Sequence, residues 1–180
     1  MPIDRSKITI SKLVAAKRQL QTAIRLWFSD GDPVAVHTLA FAAYEIIHVI
    51  SKKNNPYRPT LIFDSDMIKD EYRSDWNKTI KSTAGFFKHA NKDPSGSIDF
   101  VPATTVLFLM ASLSGLRTMK EEAGREGVAF FYWLCFHQPD WIKMEFRKSL
   151  EDRISVKGIA EIKSVKKADF LKVFDLALKR

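Results

Sequence analysis

The side chains able to titrate near neutral pH in this 180-residue chain are four histidines, and three of them lie in or beside apolar segments. His37, Phe41, Tyr44 and His48 are spaced four, three and four apart, which places them on one stripe of a helix, with Glu45 at its edge. His89 follows Lys88 in Phe86-Phe87-Lys88-His89-Ala90-Asn91-Lys92-Asp93-Pro94, at the end of a second periodic segment. If the two segments pack antiparallel, Lys88 and His89 approach the His37 end. His37, Glu45, His48 and His89 are then the ligand types a divalent metal takes, and His37, Tyr44, His48 and His89 are the groups of a general acid–base site. No known signature is completed, because the chain has no His-Glu-x-x-His, no Gly-x-Ser-x-Gly, no phosphate-binding glycine loop and no dinucleotide fingerprint. The structural alternative has the imidazoles hydrogen-bonded to a tyrosine, a carboxylate or a free carbonyl, fixing how helices dock. The sequence favours that alternative: no cofactor is expected, and binding is expected rather than catalysis. His137, beside Pro139, reads as a helix-end residue.

Two basic features suit phosphate. Lys88, His89, Asn91 and Lys92 make a compact cationic, hydrogen-bonding edge, although basic side chains in a last helical turn also serve the helix dipole. The net charge is +8, and residues 147–180 hold ten basic residues against five acids. Lys163, Lys166 and Lys167 are the candidates there for contact with RNA through counterion release. The alternative is a solvated amphipathic tail.

Hydrophobic content of 46% and charged content of 28% are those of a globular protein, and the length suits one helical domain over 1–180, with its basic region at 147–180. The single cysteine, Cys135, excludes an internal disulfide and any multi-cysteine zinc site. Its place in the apolar run Val128 to Phe136 argues for a buried, inert thiol. That run is about half the roughly 18 apolar residues a bilayer span needs, so no membrane partner is expected, and a cytoplasmic location is.

The elements that would position these groups read as helices throughout. A first helix is expected from Ser11 to Ser29, with Leu13, Leu20, Ile24 and Trp27 on its apolar stripe. Asp32 caps a second, Pro33 takes its first position, and it stops near Ser51 before Lys52-Lys53-Asn54-Asn55-Pro56. Apolar residues go most of the way round it, which belongs in the middle of a bundle. Tyr57 to Phe63 is a connection. A long helix from Ser65 or Asp66 to about Ala90 carries Ile68, Tyr72, Trp76, Ile80, Ala84 and Phe87, and 91–97 is the clearest loop. Pro102 opens a helix to about Gly124, a short one covers 128–136, Asp140 caps another through Leu150, and Ser164 caps the last. The expectation is an all-α protein, a single irregular bundle of six or seven helices.

With these segments in view, the chain resembles an uncharacterised family of small bacterial helical proteins. The residues that carry the resemblance are Ala16-Lys17-Arg18-Gln19-Leu20 with Ala23-Ile24-Arg25-Leu26-Trp27-Phe28, then Asp32 to Ala43, then Gly85 to Asp93. The family pattern is similar to Asp-Pro-Val-Ser-Ile-His-Thr-Leu and Asn-Phe-Phe-Lys-His-Ala-Asp-Arg-Asp. This chain departs from it with Gly85 for the first Asn and with Asn91-Lys92 for Asp-Arg. The resemblance covers about the first hundred residues and implies no assigned activity. A fainter one is to the HEPN superfamily, helical bundles found in RNA-cleaving toxins and antiviral systems. Its nucleases place an Arg a turn or two before the catalytic His, and no histidine here has one; the nearest candidate for that place before His89 is Lys81. That resemblance implies a binding relative without catalysis.

The reading is a cytoplasmic helical interaction protein whose partner is another protein, a second copy or RNA. Part of the aromatic block at Phe130, Phe131, Tyr132, Trp133, Phe136 and Trp141 is a candidate dimer face. The alternative is a metal- or histidine-dependent hydrolase acting on RNA.

Overall fold

The computed structural model describes residues 6–178 apart from Lys92 and Arg153. Among the described residues there are eight α-helices and no strand. They are α1 (Lys12–Phe28), α2 (Pro33–Asn54), α3 (Asp70–Lys88), α4 (Thr105–Thr118), α5 (Gly124–His137), α6 (Met144–Glu151), α7 (Val156–Ser164) and α8 (Phe170–Leu178). The all-α expectation is met, with eight helices in place of six or seven.

The first two helices begin where their capping residues require. The Ser11 hydroxyl accepts from the Val14 amide at 3.2 Å, and Asp32 accepts from Ala35 at 2.8 Å, with Pro33 at the first helical position. α2 is the centre of the bundle. α1 lies along it, returned by the 29–32 turn, and the wholly buried Ala16, Ala23, Ala40 and Ala43 keep the two backbones close. α4 packs on another side and runs parallel to α2. His37 meets Thr105 near one end and Ile47 meets Gly115 near the other, where a Cβ on Gly115 would stand 2.5 Å from the Ile47 methyl. α5 and α8 close the far side of α1 through aromatic packing: Trp27 stands edge-on to Phe130 at 5.1 Å, and Phe28 stacks on Phe170 at 5.6 Å.

α2 alone among the described helices is long and apolar enough to cross a membrane by length and composition. Its apolar surface is used in the core, between α1 and α4.

Four boundaries differ from expectation. α3 starts at Asp70, because Ser65 to Ile68 forms a separate turn whose carbonyls are taken by Arg73 at 2.8 and 2.7 Å. α4 stops at Thr118, well before Gly124. Lys120 takes φ +58, its amide bonds to the Arg117 carbonyl and the Glu121 amide to that of Leu116, a Schellman ending built on lysine. Gly124, at φ +72, opens α5 instead. Asp140 lies in a 3₁₀ turn, Pro139–Trp141, so α6 begins at Met144. Ser164 does not cap the last helix: it ends α7, which Ser155 caps by accepting from Gly158 at 3.1 Å.

Candidate functional site

α2 and α3 do pack antiparallel, with Lys88 beside Phe41 and Glu45 and Lys81 beside Phe63 and the His48 end. The consequence for the histidines differs from the simplest expectation. His37 and His48 are separated by roughly 16 Å along α2 at the rise of an α-helix. His89 is the residue after α3 and is exposed. Among the described residues no group of three or more His, Cys, Asp and Glu side chains is placed to hold a metal ion. The candidate sets His37–Glu45–His48–His89 and His37–Tyr44–His48–His89 are therefore not assembled.

His37 is 2% exposed and held in an aromatic cage. The rings of Phe100, Phe108, Phe87 and Phe41 lie at 5.0, 5.4, 5.8 and 6.4 Å from it. Nδ1 is 2.9 Å from the Thr105 hydroxyl at the start of α4, while Nε2 is buried with no partner. Burial, and then the charge of Lys88, lower its pKa, so the ring is neutral at pH 7.

The other end of α2 carries a polar network. Arg58, only 6% exposed, donates through one terminal nitrogen to Asp64 at 2.9 Å and to Nδ1 of His48 at 3.3 Å, and through the other to the Pro59 carbonyl at 2.7 Å. Asp64 accepts from the Leu61 amide at 2.8 Å, and the Tyr44 hydroxyl accepts from the Phe63 amide at 3.1 Å. Tyr44 also lies 3.4 Å from Nδ1 of His48. Burial lowers the pKa of His48; Asp64 works against that, while Arg58, Lys52 and Lys81 reinforce it. A guanidinium only donates, so Nδ1 of His48 is an acceptor and its proton is on Nε2. Burial alone would raise the Asp64 pKa, but the Leu61 amide, His48 and Arg58 together hold it low. Tyr44 is raised above its ordinary value by burial, which excludes a phenolate base. The network's evident work is to fasten residues 58–64 to α2. Of the expected partners, a tyrosine, a carboxylate or a free carbonyl, His48 has the tyrosine, with the Asp64 carboxylate at 3.9 Å beyond hydrogen-bond distance, and at His37 the partner is a threonine.

The basic candidates are dispersed. Lys88 folds back onto α2, 5.0 Å over the Phe41 ring and 3.9 Å from Glu45. His89 and Asn91 are exposed, and Lys92 lies outside the described residues. Lys163 and Lys166 are exposed, whereas Lys167 is paired with Asp30 and sits 4.7 Å over the Trp27 ring. The Cys135 thiol is buried and pushed up to about 11 by desolvation, which makes it inert.

Two clefts flank α4. One, of about 640 Å³, lies between α3, α4 and the 61–68 segment, with His37 in its wall. The other, of about 610 Å³, lies between α4, α5 and α6 and is lined by Phe131, Leu134, Trp141, Phe146, Arg117 and Lys143, among others. Of the aromatic block, Phe130 and Phe136 are core, Phe131, Tyr132 and Trp133 are half-buried, and Trp141 is 52% exposed.

Sequence reasoning missed Arg58, Asp64 and Thr105. Arg58 stands in Pro56-Tyr57-Arg58-Pro59, whose composition announces a connection and hides a buried guanidinium. No protein-family model, curated protein or solved structure matches this chain. The fold and clefts thus define an all-α protein with binding-sized recesses on either side of α4, and the two resemblances rest on their own residues alone.

Proposed function

We propose that this is a non-catalytic, cytoplasmic helical interaction protein that binds an acidic, amphipathic helical segment of a protein partner in the α4–α5–α6 cleft. The carrying observation is the composition of that cleft. Its walls are aromatic and aliphatic, and its charged lining residues, Arg117 and Lys143, are both cations. Trp141 and Val128, exposed by 52 and 43%, are apolar residues of its lining. Tryptophan, phenylalanine and arginine in a recess are the residue types that dominate binding energy at protein interfaces, and an apolar groove with charged edges suits a helix carrying the opposite charge. The net charge of +8 favours the same partner class at long range. The hydrolase alternative loses its support, since the histidines it needs are on separate sites.

The test is co-purification from native extract followed by reconstitution with the purified partner segment. Trp141→Ala and Arg117→Glu are each expected to weaken that complex at least about tenfold while the fold is kept. Retention of full affinity by both variants would refute the reading. So would selective retention of RNA, lost on charge reversal at Lys163 and Lys166, or a homodimer that both variants dissociate.

A further inference from the structure

The cleft on the other side of α4 has a different chemistry. Leu61, Ile62, Ile80, Leu107 and Phe108 are among its walls, and apart from His37 it has no ionisable lining residue. It stays open because α3 is loosely seated: Ala84 is the only fully buried residue of that helix, and Trp76 and Ile80 turn half-buried faces toward the space. At about 640 Å³ it falls within the roughly 300–1,000 Å³ typical of small-molecule sites. Apolar walls of this kind, without charged edges, fit a small apolar body better than the charged flanks of a peptide helix.

One lining residue, His37, holds a polar atom without a partner. Nε2 of His37 is buried and makes no hydrogen bond, although Nδ1 is satisfied by Thr105 at 2.9 Å. An orphaned polar atom in an apolar surround is costly, and an oxygen-bearing ligand group would relieve it. In either tautomer of the neutral ring a hydroxyl or a protonated carboxyl can answer, since each both donates and accepts.

From these observations we propose that the α3–α4 cleft is a binding site for a single-chain amphiphile, an alkyl chain ended by one carboxyl or hydroxyl group, whose head is met by Nε2 of His37. Trp76 and Ile80 on α3 and Leu107 on α4 enclose the chain, and Met67, 87% exposed, stands at the edge.

The probes are dodecanoic acid and dodecanol below their aggregation limits, with binding to the whole chain followed by calorimetry and by the ¹⁵N resonance of His37 Nε2. Both are expected to bind and to move that resonance. His37→Phe keeps a ring in the aromatic cage and is expected to weaken both ligands about 3- to 10-fold, the worth of one hydrogen bond. Ala111→Trp fills the cleft from α4 and is expected to abolish binding. If that variant fails to fold, Thr83→Phe blocks the cleft from α3. The proposal is overturned if the folded wild type binds neither probe, if binding survives both the blocking and the His37 variants, or if a second copy covers the cleft and the blocking variants make it monomeric.

Discussion

Arg58 donates to Nδ1 of His48 at 3.3 Å, from a loop ten residues further along the chain. That contact joins a buried cation to a buried imidazole and works only while the imidazole is neutral. The same guanidinium nitrogen reaches Asp64 at 2.9 Å, so its charge is answered by a carboxylate that is itself about one-fifth exposed. Replacing Arg58 by Met keeps the volume, removes the cation and takes one donor from each of Asp64 and His48, leaving them the Leu61 amide and the Tyr44 hydroxyl. We expect Arg58→Met to lower stability by about 3 kcal/mol, the range for breaking a buried charge pair from one side. The His48 titration should move upward in the variant, because a neighbouring positive charge is gone while Asp64 remains. Denaturant melts and the histidine NMR titration measure the two effects, and an unmoved His48 would refute the contact.

The pH dependence of stability has a definite sign. His37 and His48 both titrate below their ordinary 6.5 in the folded protein, so the unfolded chain binds more protons as pH falls. Their contribution is complete above 6.5 and is lost as pH falls from there through their folded values. Asp64, depressed from 3.8, adds a second loss below that value. Unfolding free energy should therefore be flat just above neutrality, fall in two stages with acid, and fall again in alkali, where the buried Cys135 and Tyr44 ionise first in the unfolded chain. In His37→Phe the first stage should be shallower; an unchanged slope would mean that His37 does not titrate this way.

The elements were legible where a short-range chemical signal marks them. Ser11, Asp32 and Pro33 announce the ends of α1 and α2, and the all-round apolar pattern of α2 announces its central place. Legibility fails at α4 because its ending uses no glycine. Lys120 adopts φ +58 between two Schellman hydrogen bonds, a conformation that the packing of Met119 and Ala123 against the core imposes and that no local preference of lysine would suggest. The site failed for another reason: Arg58 and Thr105 meet His48 and His37 across tertiary contacts, and one sequence holds no trace of such pairings.

The Lys120 conformation is itself testable. A left-handed lysine carries a steric penalty that glycine does not, and here the position is exposed, so no packing is lost with the side chain. Lys120→Gly should raise stability by about 1 kcal/mol, whereas Lys120→Val should lower it. Thermal melts of the pair decide the matter, and equal melting temperatures would argue against a left-handed residue at this position.

The C-terminal cations separate into those that hold the fold and those that face solvent. Lys167 reaches back to the α1–α2 turn, where it pairs with Asp30 and lies 4.7 Å over the Trp27 ring. Asp30 is itself at φ +52, in a turn fixed by the Gly31 amide bonding to Leu26 at 2.8 Å. Lys167→Glu would put two carboxylates together and remove the cation from the indole face, so a loss of about 1 kcal/mol is expected. Lys163 and Lys166 are exposed, and their reversal should leave stability within about 0.5 kcal/mol. Any salt-dependent affinity for RNA must therefore be read from Lys163→Glu and Lys166→Glu. A weakened complex in Lys167→Glu alone would report a disturbed turn, and denaturation curves on the three single variants show which case holds.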